Sequence, residues 1–422
     1  MIKISKPIIE EAEDKVYLKA FIENEKEQVS KYLWYATSKE NGKYFCDEVA
    51  DAFVISMVLR AIKTQQDIIV DAPMSEKLYY NLNDSVLYAI NKAFEKRNHK
   101  KKNITGSELH KPIIICKKSA NYDFKPSGVG TGCSLGVDSF TVLVHHFFNG
   151  DIPHSYKISH LTLFNAGAFG SIEEGASKSF YKELERTKRF AETIGLPLVW
   201  VDSNIRSFYP EHSFDWNHTY LNMSIVLSMQ KLWKKYLYAS SFAVDSLKFN
   251  FTINSSYEPF LLPNISTEST ELIQASMDMR RSDKVAYIAN NEIVRKNLHV
   301  CWKELQANSK WFKGEIPQND FLNCGHCKKC LRTMLQLDIL GLLKQYEGIF
   351  DTSEWPRLKI KYIALVLTKR KENDLCLDLY QSMLTHKYNI PIQSKLYALA
   401  IIIYRKLKKV FRPFIKVIKL LR

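Results

Sequence analysis

The hydrophobic and polar positions of this chain follow two rhythms. Up to about residue 125, segments that alternate apolar and polar residues are interleaved with helical ones. The predicted strands are Lys15 to Glu23, Tyr32 to Thr37, Asp67 to Ala72 and Pro112 to Lys117. The predicted helices lie near Asp47 to Lys63 and Asp84 to Arg97, and the polar segment from His99 to Ser107 is predicted to be a loop. The pattern indicates a small α+β domain, residues 1–125, in which no residue points to chemistry.

From about residue 128 the pattern changes to a repeated order of strand, turn and helix. The predicted strands are Gly128 to Ser134, Ile158 to Asn165, Pro197 to Asp202 and Tyr236 to Phe242. The predicted helices are Ser139 to Phe148, Ser177 to Ile194 and Tyr220 to Lys235. This alternation predicts an α/β fold: a parallel sheet with helices on both faces, which binds ligands beyond the carboxyl ends of its strands. Residues 126–345 form this second domain, and a helical C-terminal region follows at 346–422.

Composition indicates a globular chain with ample core. The 422 residues are 46% hydrophobic and 25% charged. No apolar stretch reaches the roughly 18 residues that a membrane span needs, and the N-terminus lacks the apolar core of an export signal. We therefore expect a cytoplasmic protein whose cysteines are reduced.

The net charge of +15 is concentrated near the end of the chain. Nine Lys or Arg and no acidic residue lie between Lys395 and Arg422, which leaves about +6 for the other 394 residues. The cations alternate with Leu, Val, Ile and Phe at helical spacing, as in basic helices that bind the anionic inner face of a membrane. A terminal helix packed on the protein by its apolar stripe is the equal alternative. Nucleic acid is not an expected partner, because the charge is not spread over the chain.

Four of the eight cysteines are grouped: Cys301, then Cys324, Cys327 and Cys330 in Asn-Cys-Gly-His-Cys-Lys-Lys-Cys. Thiolates at this spacing are typical of a tetrahedral Zn²⁺ site, and a shell of four sulfurs leaves no coordination position for a substrate. The expected zinc is therefore structural. An iron–sulfur cluster or no metal are the alternatives, and His326, between two ligands, is expected to point to solvent.

The chemistry is expected at the turn after the first strand of the α/β domain, Gly-Cys-Ser-Leu-Gly-Val-Asp-Ser-Phe-Thr at residues 132–141. The small residues Ser134 and Gly136 let the backbone close around an anion, and the following helix directs free N–H groups toward it. Ser134 and Ser139 add hydroxyl donors, whereas Asp138 suits Mg²⁺ or the orientation of the loop. An ordinary helix N-cap is the commoner explanation of such a turn by itself.

Two motifs of the chain resemble a known superfamily. Ser134-Leu135-Gly136-Val137-Asp138-Ser139 resembles the Ser-Gly-Gly-x-Asp-Ser loop of the PP-loop ATP pyrophosphatases. The cysteine pattern is similar to that of the 7-cyano-7-deazaguanine synthases within this superfamily, and most similar to synthase-like proteins of bacterial polysaccharide and other accessory gene clusters. The resemblance covers residues 128 to about 340 and includes the segments Ile265 to Glu271, Leu298 to Trp302 and Asn323 to Met334, with Arg281 and Lys284 on a helix.

The resemblance implies an adenine nucleotide alpha hydrolase-like fold and an ATP-dependent, AMP-forming ligase or amidating enzyme. Such enzymes adenylate a carboxylate or carbonyl oxygen of a small molecule and release pyrophosphate. The implied cofactors are ATP, Mg²⁺ and Zn²⁺. The implied catalytic residues are Asp138, Ser139, Arg281 and Lys284. The implied nucleotide-binding residues are Ser134, Gly136, Val137, Asp138, Ser139, Leu163, Phe164 and Asn165, and the implied zinc ligands are Cys301, Cys324, Cys327 and Cys330. Without the resemblance, Arg281 and Lys284 are explained by a solvated helix face.

One residue departs from the superfamily pattern. Leu135 stands where the first loop glycine is expected, so a positive φ there would strain the backbone and weaken ATP binding or turnover. A degenerate, non-catalytic nucleotide-binding protein is therefore an alternative, and a defence-associated synthase or conjugating enzyme of the deazaguanine type is another. Substrate, pathway and a homodimeric state stay open.

Overall fold

The computed structural model describes residues 1–102, 110–169, 178–209, 214–247, 253–301 and 321–420. These residues form two compact units. The first unit comprises residues 1–134 and 142–277, and the second comprises residues 135–141 and 278–422. The short segment 135–141, which follows the first predicted strand of the α/β domain, thus belongs to the second unit.

All the strands of the described residues lie in the first unit. They are β1 Ile2–Ile4, β2 Ile8–Glu11, β3 Lys15–Asn24, β4 Val29–Ser38, β5 Ile68–Ser75, β6 Ile114–Ala120, β7 Gly128–Gly132, β8 His160–Phe164, β9 Leu198–Ser203, β10 Trp233–Ala239 and β11 Glu271–Ala275. Together they make one 11-stranded sheet in the order β11-β10-β7-β8-β9-β4-β3-β1-β5-β6, with β2 paired to β3.

The sheet runs without a break through the strands of the predicted α+β domain and those of the predicted α/β domain. β4 pairs antiparallel with β9, with Tyr35 opposite Ser203 and Ala36 opposite Asp202. Strands on either side of residue 125 therefore share one sheet and one hydrophobic core, which extends from Ile2 to Leu272. The division into domains at residues 125 and 345 stays a prediction.

Parallel pairing dominates around β7. β7 pairs in parallel with β8 and with β10, and β8–β9 and β10–β11 are parallel as well. The strand order reverses at β7. The chain places β8 and β9 on one side of β7 and then places β10 and β11 on its other side. In open α/β sheets, ligands bind beyond the carboxyl ends of the strands at such a reversal. The α/β class is confirmed; the adenine nucleotide alpha hydrolase-like arrangement stays a prediction.

The helices of the described residues follow in chain order. They are α1 Lys39–Gly42, α2 Asp51–Thr64, α3 Glu76–Asn81, α4 Leu87–Lys102, α5 Val137–Leu143, α6 Lys178–Ile194, α7 Phe214–Leu227, α8 Glu258–Asn264, α9 Arg281–Ile288, α10 Glu292–Asn297, α11 Lys328–Ile339, α12 Trp355–Lys369, α13 Asp374–Thr385 and α14 Ile392–Leu420. The helical character predicted beyond residue 330 agrees with α11 to α14.

Glycine in β7 makes room for the neighbouring strand. A Cβ on Gly130 would lie 2.7 Å from the Trp233 ring, and one on Gly128 would lie 2.6 Å from the Leu232 carbonyl oxygen. Trp233 is fully buried on β10. Gly128 and Gly130 are thus explained by sheet packing.

Two sequence predictions about element ends are wrong. The helix predicted for Tyr220 to Lys235 ends at Leu227, and β10 already begins at Trp233. The loop predicted from His99 is helical as far as Lys102, and its remainder lies outside the described residues. In the first case the strand pairs with β7 and β11 on both sides, and these sheet hydrogen bonds override a local pattern that fits a helix.

Candidate functional site

The loop singled out in the sequence follows β7 directly and leads into α5. The Gly136 carbonyl oxygen accepts a hydrogen bond from the Phe140 N–H at 2.9 Å, which closes the first helical turn. Val137 is buried, whereas Asp138 and Ser139 are partly exposed on this turn. Ser134, the last residue of its unit before the loop, is exposed.

Leu135 adopts the left-handed backbone conformation, with φ at 54°. This conformation costs a non-glycine residue about 1–2 kcal/mol. The side chain is buried, with 2% of its surface exposed, and the Leu135 carbonyl oxygen accepts a hydrogen bond from the His299 N–H at 2.8 Å. Packing in the second unit therefore holds Leu135 in a backbone conformation that favours glycine.

Asp138 is the acidic partner of two predicted site residues. One carboxylate oxygen accepts from the Arg281 guanidinium at 2.7 Å and the other from the Lys284 ammonium at 3.2 Å. Lys284 is almost fully buried, with 1% of its surface exposed. Arg281 and Lys284 lie one turn apart on α9 and therefore face the same side. The solvated helix face that explains these two residues without the resemblance does not occur here.

Two further cations, Lys329 and Arg332 on α11, interact electrostatically with Asp138 and Arg281. The pKa of Lys329 is lowered to about 8, first by burial and then by the positive charges of Arg332 and Arg281. Burial also lowers the pKa of Arg332, again with a contribution from Arg281. For both residues Asp138 acts in the opposite direction. We call Arg281, Lys284, Lys329 and Arg332 the cation cluster.

The cation cluster has unmet capacity to donate hydrogen bonds. Within the described part of the chain, the Nε atoms of Arg281 and Arg332 are buried and have no hydrogen-bond partner. Burial is also the main cause that lowers the pKa of Lys284, ahead of the opposing effect of Asp138. Buried cations that repel one another favour a bound anion, which would relieve both the repulsion and the missing hydrogen bonds.

Three of the predicted nucleotide-binding residues, Leu163, Phe164 and Asn165, are buried in the first unit, and we expect them to contact the adenine. Leu163 and Phe164 are buried on β8, and Asn165 directly follows it. The Asn165 backbone N–H donates to Val201 O at 2.8 Å, and its side-chain amide donates to Asp202 Oδ1 at 2.9 Å. This backbone donor is therefore already used within the sheet, and the role of the three residues with adenine stays a prediction.

The four grouped cysteines converge on one point in the second unit. The sulfur atoms of Cys301, Cys324, Cys327 and Cys330 all lie within 4.8 Å of one another, and all four residues are buried. The sulfurs of Cys324 and Cys330 are 3.9 Å apart and those of Cys327 and Cys330 are 3.4 Å apart. Tetrahedral zinc–thiolate bonds of about 2.3 Å place sulfurs about 3.8 Å apart, so this cluster could hold a zinc ion.

Backbone N–H groups support the sulfur atoms. Cys324 Sγ accepts from the N–H groups of His326 and Cys327 at 3.5 and 3.4 Å, and Cys327 Sγ accepts from Cys330 N–H at 3.5 Å. Cys327 is also the N-cap of α11. Hydrogen bonds from Cys301 lower the pKa of the Cys324 thiol, whereas burial raises that of the Cys330 thiol.

Gly325 forms the turn between the first two ligands of this segment. Its φ is +70°, and a Cβ there would lie 1.9 Å from the Asp351 carbonyl oxygen. Both the backbone conformation and the space require glycine. The residue is therefore explained by the geometry of the turn.

Asn323 joins the two distant parts of the cysteine cluster, a role that sequence analysis did not assign. Its side-chain oxygen accepts from the N–H groups of Val300 and Cys301 at 2.8 and 3.2 Å. Its amide donates to the carbonyl oxygens of Leu298 and Ile349 at 2.8 and 3.2 Å. The only signal in the sequence is a buried polar residue immediately before a ligand cysteine. Residues 302–320, which lie between Cys301 and this segment in the sequence, are outside the described residues.

The predicted exposure of His326 is wrong. The residue is buried, with 7% of its surface exposed, and its Nδ1 lies 2.5 Å from the Cys324 carbonyl oxygen. The tight turn at Gly325 folds the imidazole back onto the turn itself. His326 thus contributes to the structure of the turn and is not one of the four grouped ligands.

The C-terminal helix α14 keeps part of its apolar surface exposed. It packs against α12 through residues that include the buried Ala398. The exposed large side chains on α14 include Leu396, Leu399, Ile403 and Leu407. Their spacing of three or four residues places them along one stripe of the helix. Among the described residues, no helix is both long and apolar enough to cross a bilayer.

Comparison with known proteins gives no relative: no family model, no curated protein and no solved structure matches the chain.

Proposed function

We propose that this protein is an ATP-dependent, AMP-forming ligase or amidating enzyme that activates a carboxylate or carbonyl oxygen, with a structural zinc ion. The observation that carries the proposal is the cation cluster beside Asp138. Four cations, two of them with buried unpaired Nε atoms, match the charge and the acceptor oxygens of a nucleotide phosphate chain.

The fold supports the same proposal. The segment that carries Asp138 leaves the carboxyl end of β7, the strand at which the strand order reverses. This is the usual position for phosphate binding in open α/β sheets. The similarity of residues 134–139 to the PP-loop motif points to the same segment.

The proposed reaction has two steps. In the first, the substrate oxygen attacks the α-phosphorus of ATP, the bond to the bridging oxygen breaks, and pyrophosphate leaves with its electron pair. In the second, a nitrogen nucleophile attacks the activated carbon and AMP leaves. Arg281 and Lys284 would stabilise the negative charge that grows on pyrophosphate, and Ser139 would donate a hydrogen bond to a phosphate oxygen.

Asp138 has two compatible roles in this proposal. In the free protein its carboxylate positions Arg281 and Lys284. Mg²⁺ is commonly held by one or two carboxylates together with nucleotide phosphates, and the partly exposed Asp138 carboxylate fits that donor set. When bound, Mg²⁺ would neutralise phosphate charge.

The zinc ion would act by linking chain segments. A four-cysteine shell has no open position, so the ion itself takes no part in the reaction. It would fix Cys301 to the start of α11, the helix that carries Lys329 and Arg332 of the cation cluster.

A non-catalytic nucleotide-binding protein is the second candidate. Its specific support is the positive φ of Leu135, where the superfamily motif has glycine. A bulky residue in this conformation keeps phosphate away from the backbone of the loop. Tight nucleotide binding without AMP or pyrophosphate formation would favour this candidate.

The test separates binding from turnover. Calorimetry would measure ATP affinity of the full chain and of Lys284→Gln, with Lys296→Gln as the control, because Lys296 is exposed and pairs only with Glu292 in the described residues. We expect Lys284→Gln to weaken ATP binding at least tenfold and the control to leave it unchanged. Equal affinity of all three proteins would refute the phosphate role of the cation cluster.

Turnover is measured on the same proteins. Mass spectrometry would detect AMP and pyrophosphate formed with pools of carboxylates and ammonia, and Asp138→Ala is the comparison. Loss of both products in Asp138→Ala supports the enzyme. Identical AMP release by that variant would eliminate it.

We further propose that α14 attaches the protein to an anionic membrane surface. The support is the exposed stripe Leu396, Leu399, Ile403 and Leu407 together with the nine cations after residue 394. Flotation with phosphatidylcholine vesicles, with and without phosphatidylserine, is the test. Binding only to the anionic vesicles, lost in Leu399→Ser with Ile403→Ser, is expected; equal recovery with both vesicle types would contradict the proposal.

A further inference from the structure

A cavity of about 450 Å³ lies in the second unit, and neither Asp138 nor its partners Arg281 and Lys284 line it. Side chains from α9, α11 and α13 line it, among them Arg280, Ser282, Asp283, Gln336, Asp378 and Ser382. Its volume is in the usual range of small-molecule sites. The polar character of these residues suits a polar ligand.

Helix α9 presents different faces to the cation cluster and to the cavity. Arg281 and Lys284 point to Asp138, whereas Ser282, Asp283 and Ala286 line the cavity. The cavity is therefore separate from the proposed phosphate site, although both share one helix.

One buried polar atom of the cavity lacks a partner. Gln336 is 2% exposed. Gln336 Oε1 has no hydrogen-bond partner in the described part of the chain, although Gln336 Nε2 donates to Ser382 Oγ at 2.9 Å. A buried polar atom without a partner costs about 1–3 kcal/mol, which a bound ligand with matching donors would recover.

A buried carboxylate also lines the cavity. Asp378 is 7% exposed, and its Oδ2 accepts from Ser282 N–H at 2.9 Å. Burial raises its pKa, so a positively charged partner would stabilise its ionised form. Gln336 Oε1, which lacks a donor in the described residues, could accept a hydrogen bond from the same positively charged partner.

The charged groups around the cavity favour a cation. Asp283 and Asp378 are acidic, and Arg280 is the basic residue, whose guanidinium donates to Gln381 Oε1 at 3.3 Å. His386 is the remaining titratable residue, and its Nδ1 lies 3.0 Å from the Ser382 carbonyl oxygen. With a neutral histidine the lining carries one net negative charge, and Arg332, which is outside the lining, also interacts electrostatically with Asp378.

We propose that this cavity binds a small polar molecule with a primary ammonium group, which donates hydrogen bonds to the Asp378 carboxylate and to Gln336 Oε1. The proposal concerns binding only, so it does not depend on ATP chemistry at Asp138.

The probes are 2-amino-1,3-propanediol and glycerol, which have nearly the same shape and differ in an ammonium in place of a hydroxyl. Saturation-transfer NMR titrations of the full chain would measure both. We expect the amine to bind at least tenfold more tightly than glycerol. Equal affinity of the two probes would overturn the proposal.

Variants locate the binding. Asp378→Asn keeps an acceptor for Ser282 N–H and should remove the preference for the amine, whereas Asp374→Asn, at the exposed start of the same helix, should keep it. Ala286→Leu fills the cavity from α9 and should abolish binding of the amine without touching Asp378. Unchanged amine binding in Asp378→Asn or in Ala286→Leu would show an adventitious site elsewhere and refute the assignment.

Discussion

The Arg281 guanidinium donates a hydrogen bond to the Asp138 carboxylate at 2.7 Å, although 143 residues separate them in the sequence. Lys284, one turn further along the same helix, contacts the other carboxylate oxygen. The loop after β7 and helix α9 are thereby fixed to each other within the second unit. The loop that carries Asp138 is therefore positioned by these two counter-charges.

This relationship predicts energetic coupling between Asp138 and Lys284. Asp138→Asn removes the charge that balances a buried ammonium, so we expect the free energy of unfolding to fall by about 2 kcal/mol. Lys284→Met in the Asp138→Asn background should recover part of the loss, because the uncompensated charge is then gone. Urea denaturation of the two single variants and the double variant measures the coupling, and strictly additive effects would contradict it.

Loss of one cysteine ligand should release the metal. Cys327→Ser replaces a thiolate that also caps α11, so we expect zinc content to fall from one equivalent to well below half and the soluble yield to drop. Elemental analysis of the purified protein is the measurement. Cys376→Ser, a half-buried cysteine outside the cluster, is the matched control and should retain zinc. Full zinc content in Cys327→Ser would disprove the four-sulfur site.

Asn323 should contribute to stability and to zinc retention nearly as much as one of the four cysteines. Its side chain makes four hydrogen bonds in a fully buried position, and Asn323→Ala leaves their backbone partners without a substitute. We expect about 3 kcal/mol or more of lost stability and faster release of zinc to a chelator. Asn290→Ala, at an exposed position, is the control. Release at the original rate would show that the cysteines hold the site without Asn323.

The backbone strain at Leu135 can be separated from its packing. Leu135→Ala removes the buried side chain but keeps a residue that is unfavourable at φ 54°, so we expect a loss of about 2–3 kcal/mol. Leu135→Gly loses the same packing but relieves the strain, and it should be about 1 kcal/mol more stable than Leu135→Ala. Thermal or urea denaturation compares the two. If ATP turnover rises in Leu135→Gly alone, the leucine is also the cause of weak catalysis.

Asp51 should make stability depend on pH. Burial raises its pKa from 3.8 to about 6, although Gln230 Nε2 donates to its carboxylate at 2.9 Å. The pKa of Asp51 is higher in the folded state than in the unfolded state, so its contribution to the free energy of unfolding is fully present below pH 3.8. As the pH rises to 6, this contribution falls by about 3 kcal/mol. Denaturation of wild type and Asp51→Asn between pH 4 and 7 should show that slope in wild type only. The exposed Asp84→Asn should behave as wild type, and an equal slope in Asp51→Asn would contradict the assignment.

Local pattern was sufficient for most strands of the fold. β3 alternates between partly and fully buried positions over its whole length, so its period of two could be read directly. The pattern failed at α7 and β10, because a strand buried between two parallel neighbours loses the alternation that distinguishes it from a helix. The shared sheet of β4 and β9 could not be anticipated either, since two residue pairs make the junction.

The sequence by itself determined the chemistry that is available: four cysteines at metal-binding spacing, a small-residue loop with Asp138, and Arg281 and Lys284 on one helix face. These follow from spacing along a single element, which the period of that element sets. Only the tertiary structure decided which of these groups meet. It brought Lys329 and Arg332 into electrostatic interaction with Asp138, linked Asn323 to the Cys301 backbone by a hydrogen bond and gave Leu135 its positive φ. The physical reason is that burial and long-range charge pairing depend on packing between elements, which no local pattern encodes.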